Sequence, residues 1–167
     1  RPFQALFKSD PRHALANQVD YLLARAEQEQ AIRSGPRTGL LDGGLEMDFH
    51  IFTRLFHHKG WLDDREFDLL ERLYNTLRNF LSPPEVIIHM EADPDIVTGR
   101  FRRRGRQLEI ATLEDIRLID GLLHEWLARV EPERLISFDA SADDPTYQRN
   151  LPVLLEQISV RLGDLEI

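Results

Sequence analysis

Five arginines, Arg100, Arg102, Arg103, Arg104 and Arg106, fall within seven consecutive positions of the stretch RFRRRGRQLE, residues 100–109. Guanidinium groups converging from a helix end and the loop after it can wrap a polyphosphate through paired hydrogen bonds. In phosphoryl transfer such a clamp offsets charge on the migrating group. Arg100 and Arg104 are four apart and share a helix face, while Arg106 lies just past Gly105. The plain alternative is a solvated, arginine-rich helix end. A nucleic-acid patch fits less well, because no second basic stripe and no aromatic platform accompanies the cluster.

Two further constellations carry chemistry. In LLDGGLEMD, residues 40–48, Asp42 closes a short apolar run that reads as a buried parallel strand. A carboxylate at the C-terminal end of such a strand faces the crevice where α/β sheets bind ligands, and there it can take a proton from a substrate hydroxyl. Gly43 and Gly44 would let a ligand approach the backbone, and Asp48 follows one and a half helical turns on; equally, Asp-Gly is a common turn. Gln18 and Arg25, seven apart on one helix face, could read the hydrogen-bonding edge of a base. Polar residues at that spacing are more often the wet side of an amphipathic helix.

These residues need a scaffold, and the 167-residue chain is of a size for one domain with a single core. With 42% hydrophobic and 30% charged residues it is of ordinary globular composition. A formal charge of −8 disfavours broad adhesion to nucleic acid or an anionic membrane, though not a local basic site. There is no cysteine, hence no disulfide or thiolate metal site, and no residue is singled out as a metal ligand. No apolar run approaches the roughly 20 residues of a membrane helix, and no signal-peptide pattern is seen, so a cytoplasmic location is expected.

Asp10-Pro11 is a cap followed by proline, opening a helix to about Arg33 whose apolar positions are Leu15, Val19, Leu22 and Leu23. No obvious element precedes it. Strands are expected near 38–42, 85–91 and 133–138. Helices are expected at about 45–58, with Met47, Ile51, Leu55 and Phe56 on one face, and at 63–81, capped by Asp63. Others should start at Asp93-Pro94, at the Thr112–Asp115 capping box and at Asp144-Pro145. Strands alternating with helices give an α/β class with a mostly parallel sheet.

Taken in this order, the residues resemble the deoxynucleoside kinase family. The matching pieces are LFKSDP, Gln18, LLDGGLEMDFHIF, VIIHMEADPD, the lid-like Arg100, Arg104, Gly105, Arg106 and Glu109, and LEDIRLIDGLLHEWL; together they cover nearly the whole chain. The resemblance implies a thymidylate-kinase-like P-loop fold, a parallel sheet flanked by helices in three layers. It implies transfer of the γ-phosphoryl of ATP, with Mg²⁺, to the 5′-hydroxyl of a deoxynucleoside in nucleotide salvage. Asp42 would then be the general base. Arg100, Arg104 and Arg106 would bind phosphates and the migrating group, Gln18 would bond the base with Arg25 and Asp48 setting which base fits, and Glu109 would contact the sugar 3′-hydroxyl. Phe7 stands where the family carries a tyrosine near that hydroxyl. A homodimer joined through helices beside the sheet is implied as well, with Phe49, Phe52, Phe56, Trp61 and Phe67 as candidate contacts; the plain alternative is that they cover the sheet.

Three departures qualify the resemblance. Phe7 cannot donate the tyrosine's hydrogen bond. Gly43 and Gly44 replace the arginine and serine that follow the family's catalytic carboxylate. No G-x-x-x-x-G-K-[ST] phosphate loop occurs in these residues. Without that loop's strand, the strand near 38–42 has no neighbour to pair with, so the domain at 1–167 is expected to be N-terminally incomplete, with roughly forty or more residues before Arg1 in the native polypeptide. The alternatives are a catalytically degenerate nucleoside-binding domain of the same fold and, in another class, a helical interaction or nucleic-acid-binding protein.

Overall fold

The computed structural model describes residues 2–104, 111–142, 148 and 150–163. Backbone contacts group the chain into two compact units, one of residues 1–83 with 106–124 and one of 84–105 with 125–167, and each is taken by itself.

The first unit is helical. It begins with α1 (Pro2–Ser9), an element the sequence did not announce. Asp10 then accepts the Arg12 backbone N–H at 3.0 Å and caps a 3₁₀ turn, Pro11–His13, that runs into α2 (Ala14–Arg33). Of the expected apolar positions of α2, Leu22 alone belongs to the buried stripe. Ala14, Asn17, Gln18, Leu22, Ala26 and Glu29 face inward, spaced by three and four, whereas Leu23 is 43% exposed. Polar side chains turn inward here because partners await them on other elements, as the site shows.

Residues 38–41 form no strand, and Leu40 is 83% exposed. The only ladder among the described residues is β1–β2, so nothing supplies a second row of hydrogen bonds to 38–42. A nearly continuous helical segment follows: α3 (Gly44–Met47), a π-helical turn (Asp48–Thr53) and α4 (Arg54–His58). Ile51, Leu55 and Phe56 are buried as their spacing predicts. Helix α5 (Asp64–Phe80) opens with a complete capping box, Asp63 and Glu66 each bonding the other's backbone N–H. Four of the candidate dimer aromatics, Phe49, Phe56, Trp61 and Phe67, make ring contacts within this unit. Phe49 stacks on Tyr74 at 4.3 Å and lies 6.1 Å from Phe67, while Phe56 meets Trp61 at 5.4 Å.

The second unit holds β1 (Ile87–Glu91) and β2 (Leu135–Asp139), parallel and in the register Ile87↔Leu135 to Glu91↔Asp139. Parallel strands require a crossover, and α6 (Pro94–Arg104) and α7 (Ile116–Leu127) lie in the sequence between them. The Thr112–Asp115 capping box, which belongs to the first unit, precedes α7 as expected. Helix α8 (Leu151–Leu162) closes the described chain; the expected start at Asp144-Pro145 lies outside the described residues. The chain is thus mostly helical with a small parallel sheet, in keeping with the expected P-loop-like α/β class.

Candidate active site

Two polar clusters flank α2, and both reach the segment that carries the Asp-Gly-Gly turn. In the first, the π-helical turn presents the Asp48 backbone carbonyl, which accepts from Thr53 Oγ1 at 3.0 Å and from Gln18 Nε2 at 3.1 Å. Gln18 Nε2 also donates to Thr53 Oγ1 at 2.8 Å, and its Oε1 accepts from Asn17 Nδ2 at 3.2 Å. The order of donors is fixed by the carbonyl, which can only accept. Both N–H groups of Gln18 are therefore spent within the protein, and its oxygen keeps one lone pair.

Two helical turns along, Arg25 Nε donates to Asp48 Oδ2 at 2.7 Å, and Arg25 Nη1 donates to Gln28 Oε1 at 3.1 Å. Asp48 is 5% exposed while the Arg25 side chain keeps about a quarter of its surface in solvent. The structure thus brings Gln18, Arg25 and Asp48 into one connected cluster.

The second cluster was not foreseen. Glu29, on the same stripe of α2, receives Arg78 Nη2 on both carboxylate oxygens at 2.8 Å. Arg78 Nη2 also reaches Glu46 Oε2 at 3.2 Å, while Nε lies 3.0 Å from Glu46 Oε1, an ionic contact outside hydrogen-bond geometry. Tyr74 sits beside it, its hydroxyl 3.1 Å from His50 Nε2. Burial, and then the negative charge of Glu46, push the Tyr74 phenol up to about 12. Glu29 was findable in the sequence, four residues beyond Arg25 on one face. Arg78, 49 residues away from Glu29, had no local signal.

Between the clusters lies the turn. Gly43 has φ +89° and Gly44 φ +60°, conformations that disfavour any side chain. A Cβ on Gly43 would sit 3.3 Å from Met47 Sδ and 3.7 Å from Arg25 Nη2; one on Gly44 would sit 3.7 Å from Glu29 Oε1. Asp42, just before them, is exposed and has no hydrogen bond or ion pair among the described residues. Phe7 is elsewhere in the unit, buried against Phe56 at 4.7 Å and Trp61 at 5.3 Å, so its ring is part of the aromatic core.

In the second unit, Asp93 caps α6 through the Asp95 N–H at 2.8 Å, and the arginines occupy the last turns of that helix. Arg102, Arg103 and Arg104 are exposed. Arg100 Nη2 donates to the carbonyls of Ser141 and Ala142, both at 3.2 Å. Gly105, Arg106 and Glu109 lie outside the described residues. Among the described residues no group of three His, Asp or Glu side chains is placed to hold a metal ion, and no helix is long and apolar enough to cross a membrane.

The sequence model of the deoxynucleoside kinase family matches residues 1–159. A deoxyadenosine kinase of Dictyostelium discoideum is 29% identical over 125 residues, 74% of this chain and 51% of that protein. A deoxyadenosine/deoxycytidine kinase of Bacillus subtilis (strain 168) is 23% identical over 97 residues, 57% of this chain and 45% of that protein. The chain spans about half the length of the curated relatives it matches.

Proposed function

The chain belongs to the deoxynucleoside kinase family, and from that premise we propose that it forms the nucleoside-binding part of an enzyme that moves the γ-phosphoryl of ATP to the 5′-hydroxyl of a deoxynucleoside. The observation that carries the reading is the Gln18–Asp48–Arg25 cluster, with Gly43 so close by that a Cβ built on it would fall 3.7 Å from the same guanidinium. A buried amide and a half-buried ion pair beside a glycine turn suit a flat, hydrogen-bonding base. Gln18 offers a base an acceptor, its donors being spent, and an acceptor suits the exocyclic amino group of adenine. Deoxyadenosine, named for both relatives, is therefore the first substrate to test.

Asp42 would accept the 5′-hydroxyl proton as the oxygen attacks phosphorus, and its exposure leaves it open to substrate. The exposed arginines of α6 suit a triphosphate, and with Arg106 they would hold the ATP phosphates. Mg²⁺ would arrive on those phosphates and neutralise charge between them. The test is phosphoryl transfer from ATP to deoxyadenosine by the full-length protein. Asp42→Asn is expected to lower kcat by about 10²–10⁴-fold; an unchanged kcat would remove Asp42 from the chemistry. The second reading, a domain that binds nucleosides without phosphorylating them, is favoured by Gly43 and Gly44 standing where the family carries an arginine and a serine. Nucleoside binding without transfer would select it.

A further inference from the structure

We propose that Thr53 is a positioning residue for base recognition: it fixes which end of the Gln18 amide faces the base. The site thereby selects a base with an exocyclic amino group over one with a keto oxygen at the same ring position. The inference deepens the base-reading role given to Gln18 above and rests on it. Thr53 is wholly buried at the end of the π-helical turn. The wider turn lets its hydroxyl reach back five residues to the Asp48 carbonyl, at 3.0 Å. That carbonyl can only accept, so the hydroxyl proton is committed to it. What Gln18 meets at 2.8 Å is therefore a lone pair of Thr53 Oγ1, which calls for the nitrogen end of the amide.

Two further partners agree on that polarity. The Asp48 carbonyl takes the same nitrogen at 3.1 Å, and from the other end Asn17 Nδ2 donates to Gln18 Oε1 at 3.2 Å. An amide turned end for end would set its oxygen against two buried acceptors and leave their needs unmet. Of the three partners, Asp48 contributes backbone, and Asn17 binds the end that a base would share. Thr53 is the side chain that grips the nitrogen, from 35 residues away in sequence. The consequence for a ligand follows from the oxygen left facing it. An exocyclic amino group donates to that oxygen, whereas a keto oxygen meets it acceptor to acceptor.

The test compares kcat/KM of the full-length protein for deoxyadenosine and deoxyinosine, which differ in having an amino group or a keto oxygen at one ring position. Wild type is expected to prefer deoxyadenosine about 100-fold or more. Thr53→Val keeps the shape of the side chain but removes the hydroxyl, leaving one acceptor on the amide nitrogen. The preference is then expected to fall to about 10-fold or less, and Thr53→Ser, which returns the hydroxyl, should restore it. Thr53→Ala, which also lacks the hydroxyl, is measured in parallel, with circular dichroism and thermal melting on every variant. A merely structural threonine would lower both nucleosides together, so a folded Thr53→Val with the wild-type ratio overturns the proposal. So do a wild type that takes both nucleosides alike, a ratio that serine does not restore, and loss of fold in both the valine and alanine variants. A wild type that phosphorylates neither nucleoside overturns the kinase reading alone. The ratio is then taken from calorimetric binding of the two nucleosides, and failure to bind either overturns both readings.

Discussion

Arg25 Nε and Asp48 Oδ2 stand 2.7 Å apart, joining the middle of α2 to the first residue of the π-helical turn across 23 residues of sequence. The carboxylate is nearly fully buried while the Arg25 side chain keeps about a quarter of its surface in solvent, and the asymmetry decides what each substitution does. Removing the arginine takes a charged partner from a buried carboxylate, whereas removing the carboxylate leaves a cation that can reach water.

Arg25→Leu is therefore expected to be the more destabilising change, by about 3 kcal/mol, against about 1 kcal/mol for Asp48→Asn. Urea denaturation of the two variants checks the order. On the proposed function Asp48→Asn should also lower kcat/KM for deoxyadenosine roughly 30-fold, the equivalent of about 2 kcal/mol of lost binding.

Gly43 and Gly44 give a prediction that depends on backbone alone. An alanine at either site must adopt a left-handed conformation, at a cost of about 1–3 kcal/mol. Gly43→Ala, at φ +89° and 3.3 Å from Met47 Sδ, should lose more than Gly44→Ala, at φ +60° in ordinary contact with Glu29. Thermal melts of the two variants test the ranking.

What could be read from the sequence was what short segments decide for themselves. The Asp63 cap, the Asp93-Pro94 start and the Thr112–Asp115 box needed only local residues and appear where expected, and two of the three expected strands are present as a parallel pair. The site was legible in part. Gln18, Arg25 and Asp48 do meet, yet the plain reading of α2 made Leu15, Val19, Leu22 and Leu23 its apolar positions, of which Leu22 alone is buried, and left its polar residues wet. The inward turn of Gln18 depends on Thr53, 35 residues away, and that of Glu29 on Arg78, 49 away. No periodicity records such partners. The strand near 38–42 failed for a similar reason, since a strand is defined by its neighbour rather than by its own residues.

Lys59 Nζ donates to both oxygens of Asp115 at 2.7 Å and lies 4.5 Å from the Trp61 ring. Burial alone would raise the Asp115 carboxyl, but the Lys59 and Thr112 hydrogen bonds outweigh it and hold it below the usual carboxylate value of 3.8. A carboxyl with a depressed folded pKa contributes stability that is full above its unfolded value and is lost as pH falls through its folded one. Stability should therefore drop on acidification below about pH 3.8. Asp115→Asn should be less stable than wild type at neutral pH and should lose part of this acid limb. Urea midpoints measured from pH 7 to pH 2 would show the two curves converging; a constant gap would disprove the assignment.

The Tyr74 phenol gives the opposite limb. It is stacked on Phe49, close to Glu46, and its pKa lies near 12 against 10.0 for a free tyrosine. Because the folded value is raised, its contribution is full below the unfolded pKa and is lost as pH rises through the folded one. The alkaline fall in stability attributable to it should thus lie between about pH 10 and pH 12. Ultraviolet difference titration should show one of the three tyrosines ionising after the others. In Tyr74→Phe that late step should vanish and the alkaline fall should shrink. If all three tyrosines titrate together near pH 10 in a protein that circular dichroism shows to be folded, Tyr74 is not held neutral by its surroundings.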